Sequence, residues 1–322
     1  MRLLVLGGTR FLGRAVAEAA VASGHEVTLA NRGETNPELL PEAERVRVDL
    51  AGDLAPLGEG RWDAAIDLDP TQLPRQTRRR AEALAGSVDR YVFTSTISVY
   101  SDVSQPARED SPVLEPPDPE PEAFDVELYG ALKVGSERAV REVFGERCAI
   151  VRPGLIGGPH DPTDRFTYWP RRLAEGGDVL APGNPGSPVQ VIDARDLGAW
   201  MVELADRGVA GVFNATGPAE PVTLGEVLER VAAAVGGDVR LVWTDEQRIL
   251  DAGVVPFAEL PLWVPGDEWS GLMRVDISRA LAEGLTLRPL EETARDTLAW
   301  SVEAGEQRPT LSRSKERELL AG

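Results

Sequence analysis

A chain of 322 residues with 42% apolar and 27% charged side chains is long enough to bury a sizeable core, which excludes a disordered or collagen-like polymer. A formal charge of −19 repels phosphodiester backbones and anionic headgroups, so neither nucleic acid nor membrane is an expected partner, and an anionic cofactor needs a local positive site. The single cysteine, Cys148, allows no intramolecular disulfide; the short apolar run after Met1-Arg2 is no signal peptide, and a cytoplasmic location is expected.

Residues 2–6 read as a buried strand stopped by Gly7-Gly8, after which Phe11, Leu12, Ala15, Val16 and Ala19 recur at helical spacing up to Gly24. Further short strands are expected at 26–30, 45–48, 64–68, 91–95 and 148–152, with helices at 129–144, 196–206 and 223–235. This alternation predicts an α/β protein: a Rossmann-type doubly wound parallel sheet with a smaller, discontinuous α+β substrate domain. Residues 1–155, with about 187–217, would form the dinucleotide-binding domain, 156–186 and 218–305 the substrate domain, and 306–322 a polar tail. Between Ser101 and Asp125 six prolines and eight acidic residues forbid a helix or inner strand, leaving a lid or an exposed excursion.

Gly7-Gly8-Thr9-Arg10-Phe11-Leu12-Gly13 stands where a dinucleotide fold needs its first strand-to-helix turn: Gly7 for the sharp bend, Gly13 for close packing of helix on strand. Free amides at that helix start attract a pyrophosphate, and Arg10, in place of the usual middle glycine, adds a guanidinium. The second strand ends in Asn31-Arg32 where an NAD enzyme offers a carboxylate to the ribose. A neutral and a positive residue there favour NADP(H), with NAD(H) as the alternative. Asp49-Leu50, past the third strand, are placed to contact adenine.

Tyr129 and Lys133 stand four apart, on one face of the helix that begins there. A phenol with an ordinary pKa of about 10 exchanges protons poorly at neutral pH, and a neighbouring ammonium favours its phenolate. With four tyrosines and two lysines in the chain, such a pair is expected by chance only about 0.02 times. Upstream, Thr94-Ser95-Thr96-Ile97-Ser98-Val99-Tyr100 leaves the end of the fifth strand, where ligands of doubly wound sheets bind.

These residues, with Arg152-Pro153-Gly154 and Val191-Ile192-Asp193-Ala194-Arg195-Asp196-Leu197, resemble the extended short-chain dehydrogenase/reductase family, also called the NAD-dependent epimerase/dehydratase family. The glycine-turn variant is similar to an atypical branch that includes RNA-binding proteins. The resemblance implies catalysis by Thr96, Tyr129 and Lys133, with Ser95 as the fallback hydroxyl, and places Lys133, Pro153 and Gly154 against the nicotinamide. Ile97-Ser98 replace the Asp-Glu pair of the dehydratases, and Leu155 the asparagine with which epimerases hold a substrate diphosphate. His160, Arg165 and Trp169 in the next loop are candidate pocket residues.

The expectation is therefore an NADP(H)-dependent reductase or dehydrogenase acting on a carbonyl or secondary alcohol of a small molecule. The alternatives are an NAD-dependent epimerase of a sugar or sugar nucleotide, and a non-catalytic dinucleotide- or RNA-binding protein on the same fold. His25, His160 and Cys148 make no ligand-spaced cluster, so no metal is expected. Relatives that dimerise pair the helix after the fourth strand with the Tyr129 helix; here the former carries Arg75, Arg78, Arg79 and Arg80, leaving monomer or homodimer open.

Overall fold

The structure, a computed structural model, describes residues 1–305 and 308–321. Successive residues of β1 (Arg2–Leu6) leave the strand on opposite faces: Leu3 and Val5 join a core with Val16, Leu29 and Met201, Leu4 and Leu6 one with Leu57, Tyr91 and Val140. All four are fully buried, because a parallel sheet is covered on both faces, and an unbroken apolar run is what such a strand requires.

Six more strands complete one parallel sheet: β2 (Glu26–Asn31), β3 (Glu44–Arg47), β4 (Trp62–Asp67), β5 (Val88–Thr94), β6 (Cys148–Pro153) and the strand Gly211–Ala215. Their order is β3-β2-β1-β4-β5-β6 followed by Gly211–Ala215, the doubly wound Rossmann arrangement. α1 (Phe11–Ala22) and the helix Ala194–Arg207 cover one face; α2 (Pro74–Leu84) and α3 (Tyr129–Phe144) cover the other. The winding reverses between β1 and β4, so a crevice opens at their carboxyl ends, beside Gly7 and Leu68.

A second core joins Trp169, Leu180, Val227, Val231, Ile249 and Trp263. Its helix Leu224–Val235 starts on a capping box, Thr223 with Glu226, and stops at left-handed Gly236. The C-terminal stretch differs from the expected polar tail. Arg313–Ala321 is a helix, and its Glu316, fully buried, lies 2.8 Å from the Arg172 guanidinium. A pattern of polar residues hides one buried carboxylate that docks the whole turn. Glu306, Gln307 and Gly322 of that tail lie outside the described residues. The proline-rich stretch 101–125 has neither helix nor strand, only a bridge between Tyr100 and Val113.

Candidate active site

Gly7 and Gly8 hold φ of +111° and +85°, conformations that side chains resist, and so turn the chain sharply from β1 into α1. A Cβ on Gly13 would sit 2.6 Å from Leu68 Cδ1, so its absence lets α1 press against the crevice. Arg10, the residue preceding α1, makes no side-chain cap, leaving the first-turn amides available to an anion. Thr9 and Leu12 are buried, while Phe11 takes φ +40° and lines the cavity described below.

Asn31 is a clamp: its amide donates to Gly7 O at 2.7 Å and accepts from Gly33 N at 2.8 Å. Arg32 is exposed, paired with Glu34 at 3.2 Å. Arg47, not singled out from the sequence, lies opposite Asn31 in the β2/β3 register and brings its guanidinium against Gly33. Its signal would have been the register of two adjacent strands, which a linear reading does not supply. Asp49 is exposed and accepts from Ala51 N at 3.0 Å; Leu50 is buried in the core on the α2/α3 face.

Tyr129 opens α3, and Lys133 one turn on places Nζ 5.9 Å from its ring centroid. The two side chains expected to meet do meet. Gly130 lets α3 pack closely on the strand-end loop, because a Cβ there would collide with the Ser98 carbonyl. Lys133 Nζ also donates to Thr94 O at 2.9 Å and lies 2.9 Å from Asp69 Oδ2.

Asp69 belongs to a fully buried charge network. Its Oδ1 accepts from Arg80 at 2.7 Å and from Thr77 at 3.0 Å; Arg80 also meets Asp67 Oδ2 at 3.0 Å, and Tyr91 donates to that oxygen at 2.7 Å. Burial alone would raise the Asp69 carboxyl and lower the Lys133 amine, yet each overcomes it in the other: Asp69, helped by Arg80, is held below the usual carboxylate range and Lys133 above the usual amine range. Arg80, counted with the surface arginines of α2, is thus not available to a subunit interface. Two carboxylates at the end of a buried strand, Asp67 and Asp69, were the overlooked signal, since buried acids demand cations.

Thr96 Oγ1 accepts from Ser98 N at 3.1 Å and donates to Ser98 Oγ at 3.2 Å. Ser95, the fallback, turns its hydroxyl away to Glu137 at 2.5 Å, and Glu137 in turn grips Arg152 at 2.6 Å. Ser95 therefore spends its hydroxyl on Glu137, although both Ser95 and Thr96 line the same cavity as Tyr129.

Thr96, Tyr129, Lys133, Pro153, Gly154 and Arg165 all line one cavity of about 650 Å³ at the carboxyl edge of the sheet. Two expected pocket residues are elsewhere. Trp169 is fully buried in the second core, its indole donating to Pro261 O at 2.7 Å. His160 lies 3.5 Å from Arg14 and edge-on to Trp300 at 5.4 Å, on the outer side of α1. An aromatic or imidazole in a loop is as often packing as lining, and its neighbours in space decide which. No residue of 101–125 lines the cavity; Val103 O instead accepts from Gly271 N at 2.8 Å, buttressing the segment that forms its far wall.

The crevice fits a dinucleotide: it has a glycine turn without Cβ atoms, an uncapped helix start for the diphosphate, and Thr94 Oγ1 buried on the cavity wall without a hydrogen-bond partner. Among the described residues no group of three His, Cys, Asp or Glu could hold a metal ion, and no helix is long and apolar enough to cross a membrane.

A Rossmann sheet whose carboxyl edge carries a tyrosine and lysine one helical turn apart defines a class, the extended short-chain dehydrogenases/reductases. The chain belongs to the NAD dependent epimerase/dehydratase family, whose model matches residues 76–215. It is 30% identical over 259 residues to 2'-dehydrokanamycin reductase of Streptomyces kanamyceticus, covering 73% of this chain and 67% of that protein. It is 29% identical over 255 residues to the epimerase family protein SDR39U1 of Bos taurus, covering 73% and 81%. Among solved structures, WbmH of Bordetella bronchiseptica in complex with NAD+ superposes with a TM-score of 0.68 at 18% identity, covering 95% of this chain and 99% of that one. UDP-glucuronic acid 4-epimerase of Bacillus cereus in complex with NAD gives 0.67 at 16%, covering 95% and 100%. At such identities these two likenesses speak for the fold.

Proposed function

We propose that this protein is an NADP(H)-dependent reductase or dehydrogenase acting on a carbonyl or secondary alcohol of a small molecule. The observation that carries the reading is the meeting of Tyr129, Lys133 and Thr96 on one cavity at the carboxyl edge of the sheet. The glycine turn, Lys133, Pro153 and Gly154 would hold a dinucleotide, which would supply or accept the hydride. Thr96 orients the substrate oxygen by hydrogen bonding. Tyr129 gives that oxygen its proton in reduction, or takes it in oxidation, and Lys133 favours the phenolate by its charge. The preference for the 2'-phosphate rests on Arg32 and Arg47 flanking a turn whose strand ends in neutral Asn31.

The likeness to 2'-dehydrokanamycin reductase favours net reduction. An epimerase reading is favoured by the family and by the likeness to the epimerase family protein SDR39U1. It uses the same residues but returns the hydride to the substrate, so it needs cofactor that stays bound. Mass and absorbance of whatever co-purifies separate the two. Tyr129→Phe tests the common core: it should keep NADPH binding and lose about 10²–10⁴-fold in turnover. Full turnover by that variant sinks both.

A further inference from the structure

One stretch of chain contributes much of the cavity's lining and, Glu268 apart, it is apolar: Phe257, Trp263, Trp269, Leu272 and Met273. Trp269 is 47% exposed, unusual for so large an apolar side chain unless a ligand covers it. Two of the polar side chains nearby are committed to neighbouring side chains. Thr163 donates its hydroxyl to Asp161 at 2.6 Å and Ser98 accepts from Thr96, while Glu268 adds a carboxylate that repels a doubly charged diphosphate more than a single anionic group. A sugar nucleotide brings a diphosphate and several hydroxyls, and each left unpaired on burial costs about 1–3 kcal/mol. This wall cannot satisfy them.

Three charged side chains line the cavity: Lys133, which Asp69 neutralises at 2.9 Å, Glu268, and Arg165. Arg165 lines the cavity with its guanidinium 5.1 Å from the Phe257 ring centroid, and among the described residues it has no ion-pair partner. Asp161, the acid whose field reaches it, spends Oδ1 on Thr163. Burial already pulls the Arg165 guanidinium below its ordinary pKa, so an anion there would be taken up against an incompletely compensated charge.

We infer that the substrate is an aromatic or otherwise flat apolar carbonyl compound carrying a single anionic group, its body against the Phe257–Trp263–Trp269 wall and its anion on Arg165. This rests on the reductase reading for the site and adds the substrate class. The Phe257 ring, 5.1 Å from the guanidinium, holds Arg165 at the cavity wall, and a planar guanidinium there suits a carboxylate. Two negative charges, as in a nucleoside diphosphate, would meet one cation free of a carboxylate partner, since Asp69 holds Lys133.

The test is calorimetric titration of the protein with NADP+ present, which cannot reduce a ketone, using 6-acetyl-2-naphthoate, its methyl ester and UDP-glucose. The acid should bind at least about tenfold more tightly than the ester, Arg165→Gln should remove that difference while leaving ester binding unchanged, and Arg165→Lys should restore part of it. UDP-glucose should bind more weakly than either. Equal binding of acid and ester, an unchanged acid affinity in Arg165→Gln, tightest binding by UDP-glucose, or binding of none of the three overturns the inference. Consumption of NADPH by the bound acid is read separately: a ketone that binds as described but is never reduced counts against the reductase reading and leaves the substrate class standing.

Discussion

Lys133 Nζ lies 2.9 Å from Asp69 Oδ2, so the amine beside the candidate catalytic phenol is anchored from behind by a fully buried carboxylate. With Arg80 and Asp67 the pair closes a balanced set of two anions and two cations. Lys133 is thereby held in place by ionic contacts that cannot slide, because every member is boxed in by the others.

Asp69→Asn should therefore cost on the order of 3 kcal/mol at neutral pH, since it leaves two buried cations with Asp67 alone. The pH sign follows from the shifts. The Asp69 carboxyl is depressed in the folded state, so its stabilisation is present above about pH 4 and is lost as pH falls through the folded value. Lys133 is raised, so its share is complete below about pH 10 and is lost above the folded value. Urea unfolding at pH 7 and pH 3.5 checks this, and a loss below about 1 kcal/mol at pH 7 would mean the network is not balanced as described.

Arg32 and Arg47 flank the turn after Asn31 with one acid, Glu34, in contact with Arg32. Replacing both arginines by alanine should weaken NADPH at least about tenfold and leave NADH within about twofold, because only the former carries the 2'-phosphate. Fluorescence titration with the two cofactors decides it, and a wild-type protein that prefers NADH removes the premise.

Much of this site was legible in the sequence because its elements are local. The glycine turn and the i to i+4 pair of Tyr129 and Lys133 follow from short spacings on one element, whereas Thr96, with Ser95 as its fallback, came from the family resemblance. The strands showed themselves as apolar runs, Leu3 to Leu6 most plainly. What escaped depends on contacts between distant parts of the chain: Arg80 looked like one surface arginine among four until Asp67 and Asp69 enclosed it, Trp169 like a pocket wall until Pro261 covered it, and Glu316 like tail charge until Arg172 received it. Burial of a charge is a property of the fold, and composition along the chain does not encode which charge it will be.

Gly130 offers a test of how closely Tyr129 must stand to Thr96. Its Cα approaches the Ser98 carbonyl so nearly that a methyl group forces α3 away from the strand-end loop. Gly130→Ala should lower kcat about a hundredfold while NADPH affinity stays within about twofold, since misplacing a reacting group by an ångström has that scale of effect. Steady-state kinetics beside cofactor titration measures both, and a parallel loss of NADPH binding would point to a folding defect instead.

His160, displaced from the pocket in which the sequence put it, leaves a signature of its own. Burial, with Arg14 and Arg195 nearby and only Glu18 opposing, holds its imidazole below the ordinary histidine pKa of 6.5. Above pH 6.5 the ring is neutral whether the chain is folded or not, so it contributes no pH dependence there. As pH falls through 6.5 the unfolded chain takes up a proton that the folded one refuses, and stability drops. The ring is half-buried, which limits the loss to less than about 1 kcal/mol. Subtracting a His160→Gln series from the wild-type series between pH 7.5 and 5.5 cancels the carboxylates common to both. The difference should grow steadily below pH 6.5; parallel curves would show that the imidazole protonates freely in the folded protein.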